Sequence, residues 1–287
     1  MSDKRKTAIL LLSCPDRKGI VAEISNFIYK NNGNIIHSDQ HTDFETNTFF
    51  MRIEWELDGF KIPRDSILSE FSSIAKKFDM KVEIHFSDEV LRMAIMVSKF
   101  DHCLYEILLR KASGEFQVEV PLIISNHNYL RPVADYFGVD FYHFEVTPEN
   151  KITTELKQLE LLKKYNIDFI VLARYMQILT GNFVGNYRNR IINIHHSFLP
   201  AFVGAKPYLQ AYRRGVKLIG ATSHYVTEEL DNGPIIAQDV VSVSHRDSLD
   251  DFIRKGKELE KIVLARAVKY HLENKILVFE NRTVIFD

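Results

Sequence analysis

From Arg92 onward the chain repeats one pattern, a short apolar run of strand length followed by a stretch with helical spacing. The runs are Arg92–Ser98 (RMAIMVS), Val118–Ser125 (VEVPLIIS), Phe141–Phe144 (FYHF), Asp168–Leu172 (DFIVL) and the segment entering His195 (IINIH). Between them, Tyr105, Ile107, Leu108 and Leu109 predict a helix that begins near Asp101, and residues 129–137 and 153–164 predict two more. Strands alternating with helices give a mostly parallel sheet covered on both faces. Ligands bind such sheets outside the carboxyl ends of the strands, near a switch in strand order. The loops after Ser98, Ser125, Leu172 and Ile194 are therefore where a site is expected.

The residues before Arg92 follow a different rhythm. Thr7–Ser13 is an apolar strand ended by Cys14-Pro15-Asp16, with Asp16 placed to cap a helix. That helix carries Ile20, Val21, Ile24, Phe27 and Ile28 on one face and ends near Asn31-Asn32-Gly33. Ile35–His41 and Thr48–Glu56 predict strands. The second alternates, with Phe49, Met51, Ile53 and Trp55 facing inward against Arg52, Glu54 and Glu56, and Phe50 interrupts the polar side. Ile67, Phe71, Ile74, Ala75 and Phe78 mark a second helix, and Met80, Val82, Ile84 and Phe86 a closing strand. The order is βαββαβ, a ferredoxin-like unit. Polar Ser87-Asp88-Glu89 sets the boundary, giving domains 1–87 and 88–287.

Composition narrows the partners. Thirty-seven basic residues stand against 38 acidic ones, for a net charge of −1. No bulk field therefore draws the chain to nucleic acid or to a membrane surface. Two cysteines, Cys14 and Cys103, are too few for a disulfide framework. No apolar run approaches the ~18–20 residues of a membrane span, and the basic start leads straight into a strand. A cytoplasmic protein with a compact ligand is expected.

The stretch INIHHSFLP carries the candidate chemistry. In an extended segment Asn193 and His195 point the same way, ~6–7 Å apart, and His196 points oppositely. An asparagine amide is a neutral donor for a developing oxyanion, and histidine exchanges protons near neutral pH. A carboxylate is still required to orient the imidazole, to charge it, or to activate water. Asp231, in EELDNGPIIAQD, is the candidate, since Asn232-Gly233-Pro234 makes a tight turn behind it. Ser197 lacks the glycines of a nucleophile elbow. A metal site from His195, His196 and His224 is a weaker alternative, because neither HExxH nor CxxC occurs.

Two resemblances extend this reading. CPDRKGIVAEISNFI…NNGNI, within residues 5–87, resembles the start of an ACT domain, which implies a small amino-acid effector and self-association into a homo-oligomer. NIHHSFLPAFVGAKPY followed by GATSHYVTEELDNGPIIAQD resembles the folate-dependent formyltransferase family over residues 90–287. That resemblance implies a Rossmann-like α/β catalytic domain with Asn193, His195 and Asp231 as its catalytic set. It also implies that LARYMQIL places Leu172, Met176, Gln177, Ile178 and Leu179 beside the pterin.

One feature separates the branches of that family. The branch that formylates a glycinamide ribonucleotide carries a glycine-rich phosphate loop after its first strand. Here the turn is SKFDHCLYEIL, with no glycine between Ser98 and Ile107, and a close backbone cradle for phosphate is not expected. The resemblance is then to the branch that hydrolyses 10-formyltetrahydrofolate to tetrahydrofolate and formate, supplying formate for purine synthesis and balancing one-carbon pools. Folate is the substrate there and no cofactor is implied. Lys99, Asp101, His102 and Cys103 resemble positions of that branch. Asp101 is read as a helix cap, Cys103 as a small buried apolar residue, and Asn126 as a contributor to the acceptor side of the pocket. A formyltransferase with another amine acceptor and a non-catalytic folate or amino-acid sensor are the alternatives.

Overall fold

The computed structural model describes residues 5–201 and 207–287. Phe202–Lys206, which belong to the family-like motif quoted above, lie outside the described residues. The chain divides into two compact units. One comprises Met1–Glu89 with Glu273–Leu277 and Val284–Asp287, and the other Val90–Leu272 with Val278–Thr283.

The first unit runs β1 (Thr7–Pro15), α1 (Ile20–Lys30), β2 (Ile35–Asp43), β3 (Thr48–Glu56), α2 (Ile67–Lys77) and β4 (Lys81–Phe86). The strands form an antiparallel sheet in the order β2-β3-β1-β4, as the βαββαβ reading requires. Alternation puts Leu10, Leu12, Met51, Ile53 and Trp55 on one face. They pack there with Ile20, Ile24 and Ile28 of α1 and with Ile67 and Phe71 of α2.

Three expectations for this unit change. Asp16 does not cap α1: Gly19 stands there at φ 96°, a left-handed conformation that glycine adopts without a Cβ clash. Arg52, read as solvent-facing, is 4% exposed. Its guanidinium donates to the carbonyls of Asn274 (3.0 Å) and Glu273 (3.3 Å) and pairs with Glu54 at 2.9 Å. Those carbonyls lie in the C-terminal segment that belongs to this unit, so the second face is partly covered too. For the same reason the second domain is not the unbroken span 88–287. The chain ends in a hairpin of β12 (Ile276–Phe279) and β13 (Arg282–Ile285), whose outer parts count with the first unit.

The second unit contains β5 (Leu91–Val97), α3 (His102–Ala112), β6 (Val118–Ser125), α4 (Arg131–Phe137), β7 (Asp140–His143) and α5 (Lys151–Lys164). It continues with β8 (Phe169–Leu172), α6 (Gly181–Asn186), β9 (Ile191–His195), α7 (Pro207–Arg214), β10 (Leu218–Tyr225), β11 (Ile235–Ser242) and α8 (Leu249–Leu272). The sheet order is β11-β10-β9-β8-β5-β6-β7. Strands β7, β6, β5, β8 and β9 run parallel, while β10 and β11 are antiparallel additions. From β5 the chain builds outward to β7, then returns to the other side of β5 as β8. That reversal places the strand-order switch between β5 and β8, where their carboxyl ends open a crevice.

The strands at the centre are buried on both faces. Met93 through Val97 and Phe169 through Val171 are each 0% exposed, which explains why their sequences read as unbroken apolar runs.

Candidate active site

A cavity of about 890 Å³ opens at this crevice, lined by residues that follow β5, β8 and β9 and by the loop after β10. It falls in the range of ~300–1,000 Å³ usual for small-molecule sites. Asn193, His195 and Asp231 line it together with Leu172, Met176, Gln177, Ile178 and Leu179.

Asn193 and His195 sit at the end of β9, and the antiparallel register sets His224 of β10 beside Asn193 and Thr222 beside His195. Asp231 comes from the loop between β10 and β11. That loop folds back tightly enough that a Cβ on Gly233 would stand 1.7 Å from the Tyr225 carbonyl oxygen. The amide of Tyr225 in turn donates to Pro234 O at 2.9 Å. Asp231 itself adopts φ 55°, a left-handed conformation that aspartate tolerates better than most residues.

The polar contacts form a short network. His195 Nδ1 lies 3.2 Å from Asp231 Oδ2, and His224 Nε2 lies 3.8 Å from Asp231 Oδ1. His224 Nδ1 is 2.9 Å from Tyr225 O, and a carbonyl only accepts, so this nitrogen carries the hydrogen. In the neutral ring Nε2 then accepts from Asn193 Nδ2 at 3.2 Å, which fixes the asparagine amide. His195 is 5% exposed, and its Nε2 has no hydrogen-bond partner among the described residues.

Burial alone would raise the Asp231 carboxyl. The neighbouring His195 and then His224 imidazoles override it and hold the group well below the usual carboxylate range. Asp231 is thus an ionised partner to two imidazoles.

The expectation that His196 points away is corrected. β9 ends at His195, so alternation stops there, and His196 also lines the cavity. Its ring lies 5.3 Å from that of His195 and 5.9 Å from that of Tyr208. Burial first, and then the nearby Arg174 charge, push its pKa down to about 4.

The wall made by residues 172–179 is pinned at both ends. Met176 N donates to Ser98 Oγ at 2.9 Å, and Ser98 Oγ donates to Asn126 Oδ1 at 2.6 Å. At the far end, Thr180 N donates to the buried Glu155 carboxylate at 3.2 Å. Leu172 and Leu179 are buried, while Met176 and Ile178 stand more than half exposed at the rim. Asn126 is therefore a buried support for Ser98 and not part of the cavity lining.

Of the residues after β5, His102 reaches the cavity and Lys99 and Asp101 do not line it. Asp101 occupies the cap position of α3 but makes no side-chain cap bond. Cys103 is 0% exposed, and burial, followed by the Glu260 charge, pushes its thiol well up. His195, His196 and His224 do not group as a metal site. Among the described residues the one group of three or more such side chains with ligand atoms within 4.8 Å of one another is His102, Cys103 and Glu260. A protonated thiol and the Arg174 guanidinium, 3.4 Å from Glu260, oppose a cation there.

The formyl transferase family profile matches residues 91–268, and the ACT domain profile matches residues 8–75. A Synechocystis protein named formyltetrahydrofolate deformylase is 59% identical over 280 residues, covering 98% of each chain. The chain belongs to the formyltetrahydrofolate deformylase family. A crystal structure of a family member from Pseudomonas syringae pv. tomato has a TM-score of 0.97 at 46% identity, covering 100% of this chain and 96% of that one. A glycinamide ribonucleotide transformylase from Symbiobacterium toebii is more distant, with a TM-score of 0.66 at 31% identity over 71% of this chain and 97% of that one. Family membership makes the chain a hydrolase of the α/β class, an ACT domain followed by a formyltransferase domain.

Proposed function

We propose that the chain hydrolyses 10-formyltetrahydrofolate to tetrahydrofolate and formate, with Asn193, His195 and Asp231 as the catalytic set. The observation that carries this reading is the buried His195 ring, with Nδ1 on Asp231 and Nε2 unpartnered in the same cavity wall as Asn193. Deformylase relatives that match nearly the full chain support the reaction.

The formyl oxygen is placed between the Asn193 amide and His195 Nε2–H. Both donors are fixed before the reaction, so little reorganisation is needed as charge develops. Asp231 holds the His195 ring by Nδ1, balances its charge and accepts a hydrogen bond from the attacking water. It is a weak base in the resting enzyme, but the water becomes far more acidic as its oxygen bonds to the formyl carbon. His195 gives a proton to N10 as the carbon–nitrogen bond breaks, and formate leaves.

Leu172, Met176, Gln177, Ile178 and Leu179 form the wall against which the pterin lies. Folate is the substrate and the reaction uses no added cofactor. The ACT domain takes a small amino acid as effector and joins copies of the chain into a homo-oligomer, and the enzyme works in the cytoplasm to supply formate to purine synthesis. No helix among the described residues is long and apolar enough to cross a membrane.

The test is to incubate purified full-length protein with 10-formyltetrahydrofolate in buffer free of amines, following formate and tetrahydrofolate. Steady, equal release of both is expected. Tetrahydrofolate released only when an amine acceptor is added, with the formyl group on the amine and no formate, would instead assign a formyltransferase, and binding without turnover a sensor.

A further inference from the structure

A second group of charged side chains meets in the cavity wall. Glu260 of α8 is 1% exposed and is met by polar groups from three other parts of the unit, two by hydrogen bonds and one by an ion pair. His102 Nε2, at the start of α3, lies 2.8 Å from Oε2; the Tyr208 hydroxyl on α7 donates to Oε1; and Arg174 Nε, just after β8, lies 3.4 Å from Oε2. All four residues line the same cavity as Asn193 and His195.

Two backbone features permit this grouping. Arg174 takes φ 64°, a left-handed conformation that costs a residue with a Cβ free energy. Gly256 lies one turn before Glu260, and a Cβ there would stand 2.2 Å from Tyr208 Cζ. The missing side chain lets the phenol lie across α8 and reach Glu260. The Arg174 guanidinium also sits 5.2 Å over the Phe100 ring, and Lys257 Nζ lies 5.4 Å from the same ring.

Buried ion groups of this kind are weak evidence for stability, and with the Arg174 guanidinium 3.4 Å from Glu260 the further bonds from His102 and Tyr208 exceed what charge balance requires. The formyltransferase relative supplies a contrast, since its name couples formyl transfer to glycinamide ribonucleotide. An amine that attacks a formyl carbon must be held by its N–H groups, which requires an acceptor close to the reacting atoms. Glu260 is a buried carboxylate in that cavity, and the chain's own imidazole, guanidinium and phenol already use it.

We propose that His102, Arg174 and Tyr208 are specificity-determining residues which occupy Glu260 so that no amine acceptor can use it, leaving water as the acceptor. This rests on the reading of the chain as a 10-formyltetrahydrofolate hydrolase. In the hydrolysis the water oxygen bonds to the formyl carbon, the bond from that carbon to N10 breaks, N10 gains one proton and the other is released as formate forms. With an amine, nitrogen bonds to the same carbon, the same bond breaks, and the proton lost by the amine goes to N10. The two routes share the enzyme-bound formyl group, so their product ratio reports acceptor choice independently of the overall rate.

The test gives full-length wild type and His102→Ala 10-formyltetrahydrofolate across a range of glycinamide concentrations, with formate, formylglycinamide and tetrahydrofolate quantified. Wild type is expected to yield formate with no more formylglycinamide than the uncatalysed control. His102→Ala is expected to divert a share at least about tenfold larger, because Glu260 Oε2 then loses its hydrogen-bond donor. Tyr208→Phe keeps the ring against Gly256 and removes one donor, and a rise in the same share is expected; it decides the matter if His102→Ala folds poorly. An unchanged share overturns the proposal, whatever happens to the rate. Failure of wild type to release tetrahydrofolate without glycinamide overturns the hydrolase reading beneath it instead.

Discussion

Asp231 Oδ2 accepts from His195 Nδ1 across 3.2 Å, while the other nitrogen of that ring is buried and without a partner among the described residues. A histidine held at one nitrogen and open at the other, inside an apolar-walled cavity, is arranged to donate and recover a proton at one fixed point.

Replacing Asp231 with Asn removes the charge and leaves the shape. kcat for formate release is expected to fall by ~10²–10⁴ with KM little altered, because substrate contacts remain. Steady-state kinetics check it, and a change confined to KM would contradict the assigned role.

Asn193→Ala is expected to lower kcat by ~10²–10³, the usual effect of losing one oxyanion donor. Since Asn193, His195 and Asp231 act on one transition state, the Asn193→Ala/Asp231→Asn double variant should lose much less than the product of the single losses. Multiplicative losses in the double variant would argue for independent roles.

Gly233→Ala tests the loop without touching a reacting group. The added Cβ would meet backbone, the Tyr225 carbonyl at 1.7 Å, so the loop that carries Asp231 must shift. A loss of stability of about 1–3 kcal/mol is expected by the measure of overpacked sites, with a fall in kcat. Chemical denaturation and kinetics read both, and a silent substitution would show that the loop does not fix Asp231.

His196 gives a pH signature. Its pKa is down to about 4 from 6.5, so the unfolded chain binds a proton that the folded chain does not. Its stabilising contribution is present above pH 6.5 and is lost as pH falls from 6.5 toward 4, by about 3 kcal/mol in all. His196→Gln is expected to flatten the stability profile across that window, measured by urea denaturation at several pH values. An equally steep profile in the variant would contradict it.

Much of this site is visible in the sequence, and the remainder depends on contacts that spacing does not encode. Strand alternation selects Asn193 and His195, and the turn at 232–234 points to Asp231. His196 is misread because alternation fails where β9 ends. His224 joins the network through the antiparallel register of β9 and β10, which no local pattern reveals. Glu260 gathers His102, Arg174 and Tyr208 from elements up to 158 residues apart, and each of them alone reads as an ordinary helix or loop residue. Arg52 has the same cause, since alternation marks a face as polar without showing what covers it.

The most direct measurement is a single turnover with 10-formyltetrahydrofolate in isotopically labelled water, with no amine present and with formate analysed by mass. Formate carrying one labelled oxygen, equal in amount to tetrahydrofolate, is the expected result. Unlabelled formate, or no turnover until an amine acceptor takes the formyl group without formate release, would contradict water as the acceptor.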